Sequence, residues 1–152
     1  MSDLNELYQA IILDHNRRPR NFGEMADASG QAQGKNPLCG DEVSVWIKLE
    51  DDQITDISFR GVGCAISRAA ASMMTTAVKG KSRQEAAEIF ERFHAVVTGK
   101  VSQDEAEKME KPIAVFAGVS KFPVRVKCAV LPWHTLRSAL EVSGISESQK
   151  ND

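Results

Sequence analysis

Three cysteines and one aspartate are the residues of this 152-residue chain whose types and neighbours point to chemistry. Cys39 and Asp41 share the turn Asn36-Pro37-Leu38-Cys39-Gly40-Asp41. Gly40 lets the backbone turn so that both side chains can aim at one point. Cys64 follows Gly61 and Gly63 and opens a predicted helix, where free backbone N–H groups favour a thiolate over a thiol. Cys128 lies in a later predicted helix with Arg125 and Lys127 beside it, and positive neighbours favour the charged sulfur. Three thiolates and a carboxylate make four ligands for a tetrahedral ion, and zinc accepts sulfur and oxygen at that number. There is no C-x-x-C pair, so the residues alone leave a shared metal site and three unrelated buried thiols both open.

The rest of the composition narrows the setting. An odd number of cysteines, at spacings of 25 and 64, with no secretory signal argues against a disulfide framework. Hydrophobic residues make up 42% of the chain, enough for a real core, and the net charge is -2 with a pI near 5.9. That balance gives no pull towards nucleic acid or anionic membrane. Met1-Ser2-Asp3 begins no basic-then-apolar leader, and no apolar run approaches a membrane span. The expectation is a cytoplasmic protein with no nucleic-acid or membrane partner.

The elements that must position the four residues follow from pattern. Leu4, Leu7, Tyr8, Ile11 and Ile12 form one stripe of a helix over 4–17. Residues 21–38 read as loop with at most one short strand. Val43, Val45, Ile47 and Leu49 alternate with polar positions in a strand over 42–50. Asp51-Asp52 suit a hairpin turn, and Thr55, Ile57 and Phe59 face one way in a second strand over 54–60. Small residues fill a helix over 65–79 that Gly80 stops. Capping-box pairs Ser82/Glu85 and Ser102/Glu105 open helices over 83–98 and 103–109. A last helix over 124–142 carries Pro132, which should kink or divide it. No repeat or linker appears, so the reading is one domain over 1–143 with a flexible tail over 144–152. His15, His94 and His134 read as surface or core-edge histidines, and Met73 and Met74 as packing residues.

Three stretches, NPLCGD, GVGCAISRAAASMM and FPVRVKCAVLPW, together resemble the U-type iron–sulfur cluster assembly proteins, the family of IscU, SufU and the NifU N-terminal domain. The similarity runs from the first helix to about residue 141. IscU-type members carry a histidine immediately before the third cysteine, where this chain has Lys127. The stretch between Cys64 and Cys128 is also longer than theirs, with the extra material around 81–111. Both departures resemble the SufU branch.

The resemblance implies an α+β fold, a small three-stranded antiparallel sheet with helices packed on it as in SufE- and NifU-like proteins. It implies Zn²⁺ held by Cys39, Asp41, Cys64 and Cys128, and a partner in a SufS-type cysteine desulfurase whose persulfide sulfur is accepted, with a SufBCD-type scaffold downstream. Cys39, on a glycine-flanked turn that moves more cheaply than helix backbone, is the expected acceptor. Arg125 would steady the negative site or orient Asp41. By analogy with IscU-like members the acceptor would instead be Cys128. The rival functions are a scaffold on which a [2Fe–2S] cluster is assembled and a non-catalytic protein with a merely structural zinc.

Overall fold

The computed structural model describes residues 2–37 and 40–150, with side chains described over 6–37 and 40–142. Three strands, β1 (Gly30–Asn36), β2 (Asp41–Glu50) and β3 (Gln53–Val62), form one antiparallel sheet in the order β1-β2-β3. Asp51 and Asp52 take φ of 51° and 65°, the left-handed pair of a two-residue hairpin turn. β1 is longer than the short strand expected within 21–38, although GQAQGKN holds no β-branched residue. Its order comes from outside itself: it pairs with β2 from Gly30↔Ile47 to Asn36↔Asp41.

Two details of the sheet depart from simple alternation. The register between β2 and β3 shifts at Lys48/Leu49. Thr55 is left exposed, its hydroxyl donating to the Lys48 carbonyl at 3.2 Å, and Ile54 turns into the core in its place. Trp46 of the central strand is buried although it stands on the face opposite Val45 and Ile47. The outer edge of β3 is covered by residues 21–23, through Gly23 N–H to the Phe59 carbonyl at 2.8 Å and Phe59 N–H to the Asn21 carbonyl at 3.0 Å.

Among the described residues six α-helices accompany the sheet: α1 (Ser2–Arg17), α2 (Ala65–Val78), α3 (Arg83–Val97), α4 (Gln103–Glu107), α5 (Lys111–Ala114) and α6 (Pro123–Lys150). A 3-10 turn over Ala117–Lys121 leads into α6. α6 lies across β1 and β2, α2 lies against β3, and α1 packs on α2. The Ser82/Glu85 capping box forms at the start of α3 as its pattern predicts. The Ser102 hydroxyl accepts the Glu105 N–H at the start of α4. Pro132 sits inside α6 without dividing it, and the helix continues beyond residue 142. The core joins Val43, Val45, Ile47 and Phe59 of the sheet to Ala70 and Met74 of α2 and Trp133 and Leu136 of α6. Phe93 of α3 closes one side, stacked on Trp133 with centroids 5.2 Å apart and edge-on to Phe116 at 5.5 Å.

Candidate metal centre

Asp41 is the first residue of β2, paired with Asn36 of β1, and it is 0% exposed. A buried carboxylate must be hydrogen-bonded. Its Oδ1 accepts the backbone N–H of Cys64 at 2.8 Å, and its Oδ2 lies 3.8 Å from Cys64 Sγ. This meeting follows from the hairpin: Glu42 pairs with Val62, so the chain leaving β3 passes Asp41 before α2 begins.

Cys64 is the N-cap of α2, with extended backbone (φ -75°, ψ 161°), and its sulfur accepts the Ser67 N–H at 3.5 Å. A sulfur in that position faces the positive end of the helix. Cys128 comes from the first turns of α6 and is 2% exposed. One ligand atom from each of Asp41, Cys64 and Cys128 lies within 4.8 Å of the others. A tetrahedral ion with Zn–S bonds of about 2.3 Å has ligand–ligand edges of roughly 3.8 Å. The donor set therefore fits a thiophilic ion after a contraction of about 1 Å, and it fits an iron–sulfur cluster as readily. Zn²⁺ here would be held by these three side chains and one further donor.

Cys39 lies outside the described residues. Gly40, the next described residue, takes φ +71°, and its N–H donates to the Asn36 carbonyl at 2.9 Å. Arg125 lines a cavity of about 490 Å³ together with Cys64 and Cys128, and its guanidinium lies over the Phe122 ring at 5.1 Å. Lys127, adjacent to Cys128, is exposed. The cavity is rimmed by apolar side chains left in solvent, Leu13 at 45% and Val124 at 60%, with Ile12 and Ile66 deeper.

The histidines stand elsewhere. His15 Nδ1 meets the Ser72 hydroxyl at 2.7 Å, and His94 and His134 both set their rings edge-on to Phe90. Arg18 and Arg20 both grip Asp14, at 2.8 and 2.7 Å, and hydrogen bonding to the two guanidinium groups holds that carboxyl below its usual range. Two contributors to the centre have no signal in the residue pattern alone. The Ser67 amide reaches Cys64 because the cap takes extended backbone, and the bare Cα of Gly63 lies against Asp41.

The family model of the NifU-like N-terminal domain matches residues 7–129. The chain belongs to this family of U-type iron–sulfur cluster assembly proteins. Among its relatives in the family, the iron–sulfur cluster assembly scaffold protein IscU of Streptococcus pyogenes serotype M1 is 43% identical over 143 residues, covering 94% of this chain and 88% of the relative. The zinc-dependent sulfurtransferase SufU of Bacillus subtilis is 40% identical over 139 residues, covering 91% and 92%. The crystal structure of the SUF-system scaffold protein FiSufU from Fervidobacterium islandicum AW-1 matches with a TM-score of 0.77 at 37% identity, covering 86% of this chain and 93% of that one. A NifU-like N-terminal domain from Brucella abortus, at 19% identity, shares the fold with a TM-score of 0.82. One relative is named for a scaffold and another for a sulfurtransferase at nearly equal identity, so membership of the family does not choose the branch. Among the described residues no helix is long and apolar enough to cross a membrane.

Proposed function

We propose that this protein is a zinc-dependent sulfur acceptor of the SufU branch, taking persulfide sulfur from a SufS-type cysteine desulfurase for iron–sulfur cluster assembly. The observation that carries the reading is Lys127. At the position before the third cysteine, where IscU-type members offer an imidazole, this chain has an exposed ammonium, which can donate but not ligate when charged. Cys39, Asp41, Cys64 and Cys128 are then the ligands. Zn²⁺ bound to them would keep thiolates deprotonated at neutral pH. Three thiolates, a carboxylate and a divalent ion sum to about -2, and Arg125 in the adjoining cavity offsets that charge. The apolar rim of Leu13 and Val124 suits the seating of a protein donor rather than a free ion.

Cys39 is the acceptor in this reading, because a turn flanked by glycine can release a side chain that helix backbone would hold. Its thiolate attacks the outer sulfur of the partner's persulfide. A new S–S bond forms on Cys39, the old one breaks, and the partner's cysteine leaves as thiolate, so no net oxidation occurs.

Two measurements test this. Protein purified without air should hold one Zn²⁺ per chain and no visible chromophore; a stoichiometric [2Fe–2S] spectrum would favour the scaffold reading instead. Mass spectrometry after a single desulfurase turnover should find the added sulfur on Cys39. An adduct confined to Cys128, or full stimulation of the desulfurase by Cys39→Ser, would defeat the assignment of the acceptor.

A further inference from the structure

Gly63 joins β3 to Cys64 with φ +133°, and a side chain there has nowhere to go. A Cβ at this position would stand 2.8 Å from Asp41 Cα and 2.9 Å from its Cγ, with Oδ1 nearer still. Real Cβ atoms do not approach so closely, and something would have to shift. The Asp41 backbone is tied into β2 by its pairing with Asn36, so its Cα is not the part that gives. The carboxylate can turn away, but the approach to Asp41 Cα remains, so the backbone at Gly63 and Cys64 has to give as well. The carboxylate's present setting spends Oδ1 on the Cys64 amide and leaves Oδ2 towards the Cys64 sulfur.

We propose that Gly63 is a positioning residue for the metal centre: its missing side chain leaves the space in which Asp41 takes its present rotamer, with one oxygen committed to the Cys64 N–H and the other presented to the ion. This rests on the reading of Asp41 as a ligand. It follows that Asp41 is the anchored member of the donor set. A ligand pre-set by an outer contact of this kind typically loses about 10–100-fold in metal affinity when the contact is broken.

The backbone cost and the contact can be separated within this molecule. Gly23 has φ +140° but nothing within 4 Å of a Cβ built on it, so Gly23→Ala carries a similar conformational penalty without touching Asp41. The full-length wild type, Gly63→Ala, Gly23→Ala and Asp41→Ala would be compared by two readouts. In metal-free protein, the Cys64 amide cross-peak and its hydrogen-exchange rate report the bond to Oδ1. In titrations, Co²⁺ absorption bands and Zn²⁺ competition against a chromophoric chelator report the donor set.

Gly63→Ala should displace the Cys64 cross-peak, speed its exchange and weaken Zn²⁺ by about 10–100-fold, while Gly23→Ala leaves all of these unchanged. An unmoved Cys64 amide with wild-type Zn²⁺ affinity in Gly63→Ala would overturn the proposal, as would equal effects in Gly23→Ala. If Asp41→Ala keeps wild-type affinity and Co²⁺ spectrum while Gly63→Ala still shifts the Cys64 amide, the ligand reading fails and the positioning of Asp41 stands. If Gly63→Ala does not fold, the Asp41→Ala background decides. A smaller loss of thermal midpoint there supports the contact, and an undiminished loss overturns it.

Discussion

His15 and Ser72 show how a single polar pair sets a pH response. Ser72 is fully buried; its hydroxyl accepts the Arg20 backbone N–H at 2.9 Å and meets His15 Nδ1 at 2.7 Å. Burial first, and then the Arg20 charge, hold the His15 pKa below the ordinary imidazole value, against a small opposing pull from Asp14. His134 is lowered likewise by burial, Arg137 and His94. A depressed imidazole binds fewer protons folded than unfolded. The stability it contributes is present above about pH 6.5, the unfolded value, and is lost as pH falls towards the folded pKa. The urea midpoint of metal-free protein should therefore fall between pH 7.5 and 5.5, and less steeply in His15→Gln, which keeps a side-chain acceptor without the titration. An identical slope in the variant would remove His15 from the account. At this scale the sequence marks residues whose type itself carries chemistry, and the fold brings three of them, Asp41, Cys64 and Cys128, together. The sequence is silent on Gly63, because the contact with Asp41 joins positions 22 apart and exists only in the one register that pairs Glu42 with Val62.

β1 is the element that its own residues explain least. GQAQGKN lacks the branched side chains of a good strand, and its place is set by β2 on one side and α6 above. The closest approach is at Gly34, where a Cβ would run into Thr135 Oγ1 and stand 3.0 Å from Leu131 Cδ1. Glycine here is a matter of room, since α6 crosses the strand at that point. Gly34→Ala should lift α6 off the sheet and cost about 1–3 kcal/mol, the usual penalty for overpacking. Adding Thr135→Ala removes the oxygen in the way and should recover part of it. Denaturant unfolding of both variants checks this; no recovery would mean that the strand and not the helix contact carries the loss. The helices were legible wherever a stripe or a capping box marks them, as with Ser82/Glu85. The bulge at Thr55 was not, because a register shift inverts the inward face without changing any residue. Pro132 reads locally as a break, and the packing of α6 across β1 and β2 overrides that preference.

Across the whole molecule, the centre is a meeting of three separate pieces. Asp41 belongs to the sheet, Cys64 to the start of α2 and Cys128 to α6. An ion bound by all three can bind only the folded arrangement, so its binding energy adds to stability by linkage, about 4 kcal/mol when free metal exceeds its Kd a thousandfold. Removing Zn²⁺ with a chelator should lower the thermal midpoint, restoring Zn²⁺ should raise it, and Asp41→Ala should blunt the difference. Equal midpoints with and without metal would show that no ion bridges these elements. The same dispersal bears on how the molecule is made. Ribosomes build from the amino end, and Cys64 precedes Cys128 by 64 residues, an interval of about 3–13 s at 5–20 residues per second. For that time each newborn chain carries Asp41 and Cys64 without their third companion. An ion held through all three elements could therefore be bound only once Cys128 has been made and the last helix has docked.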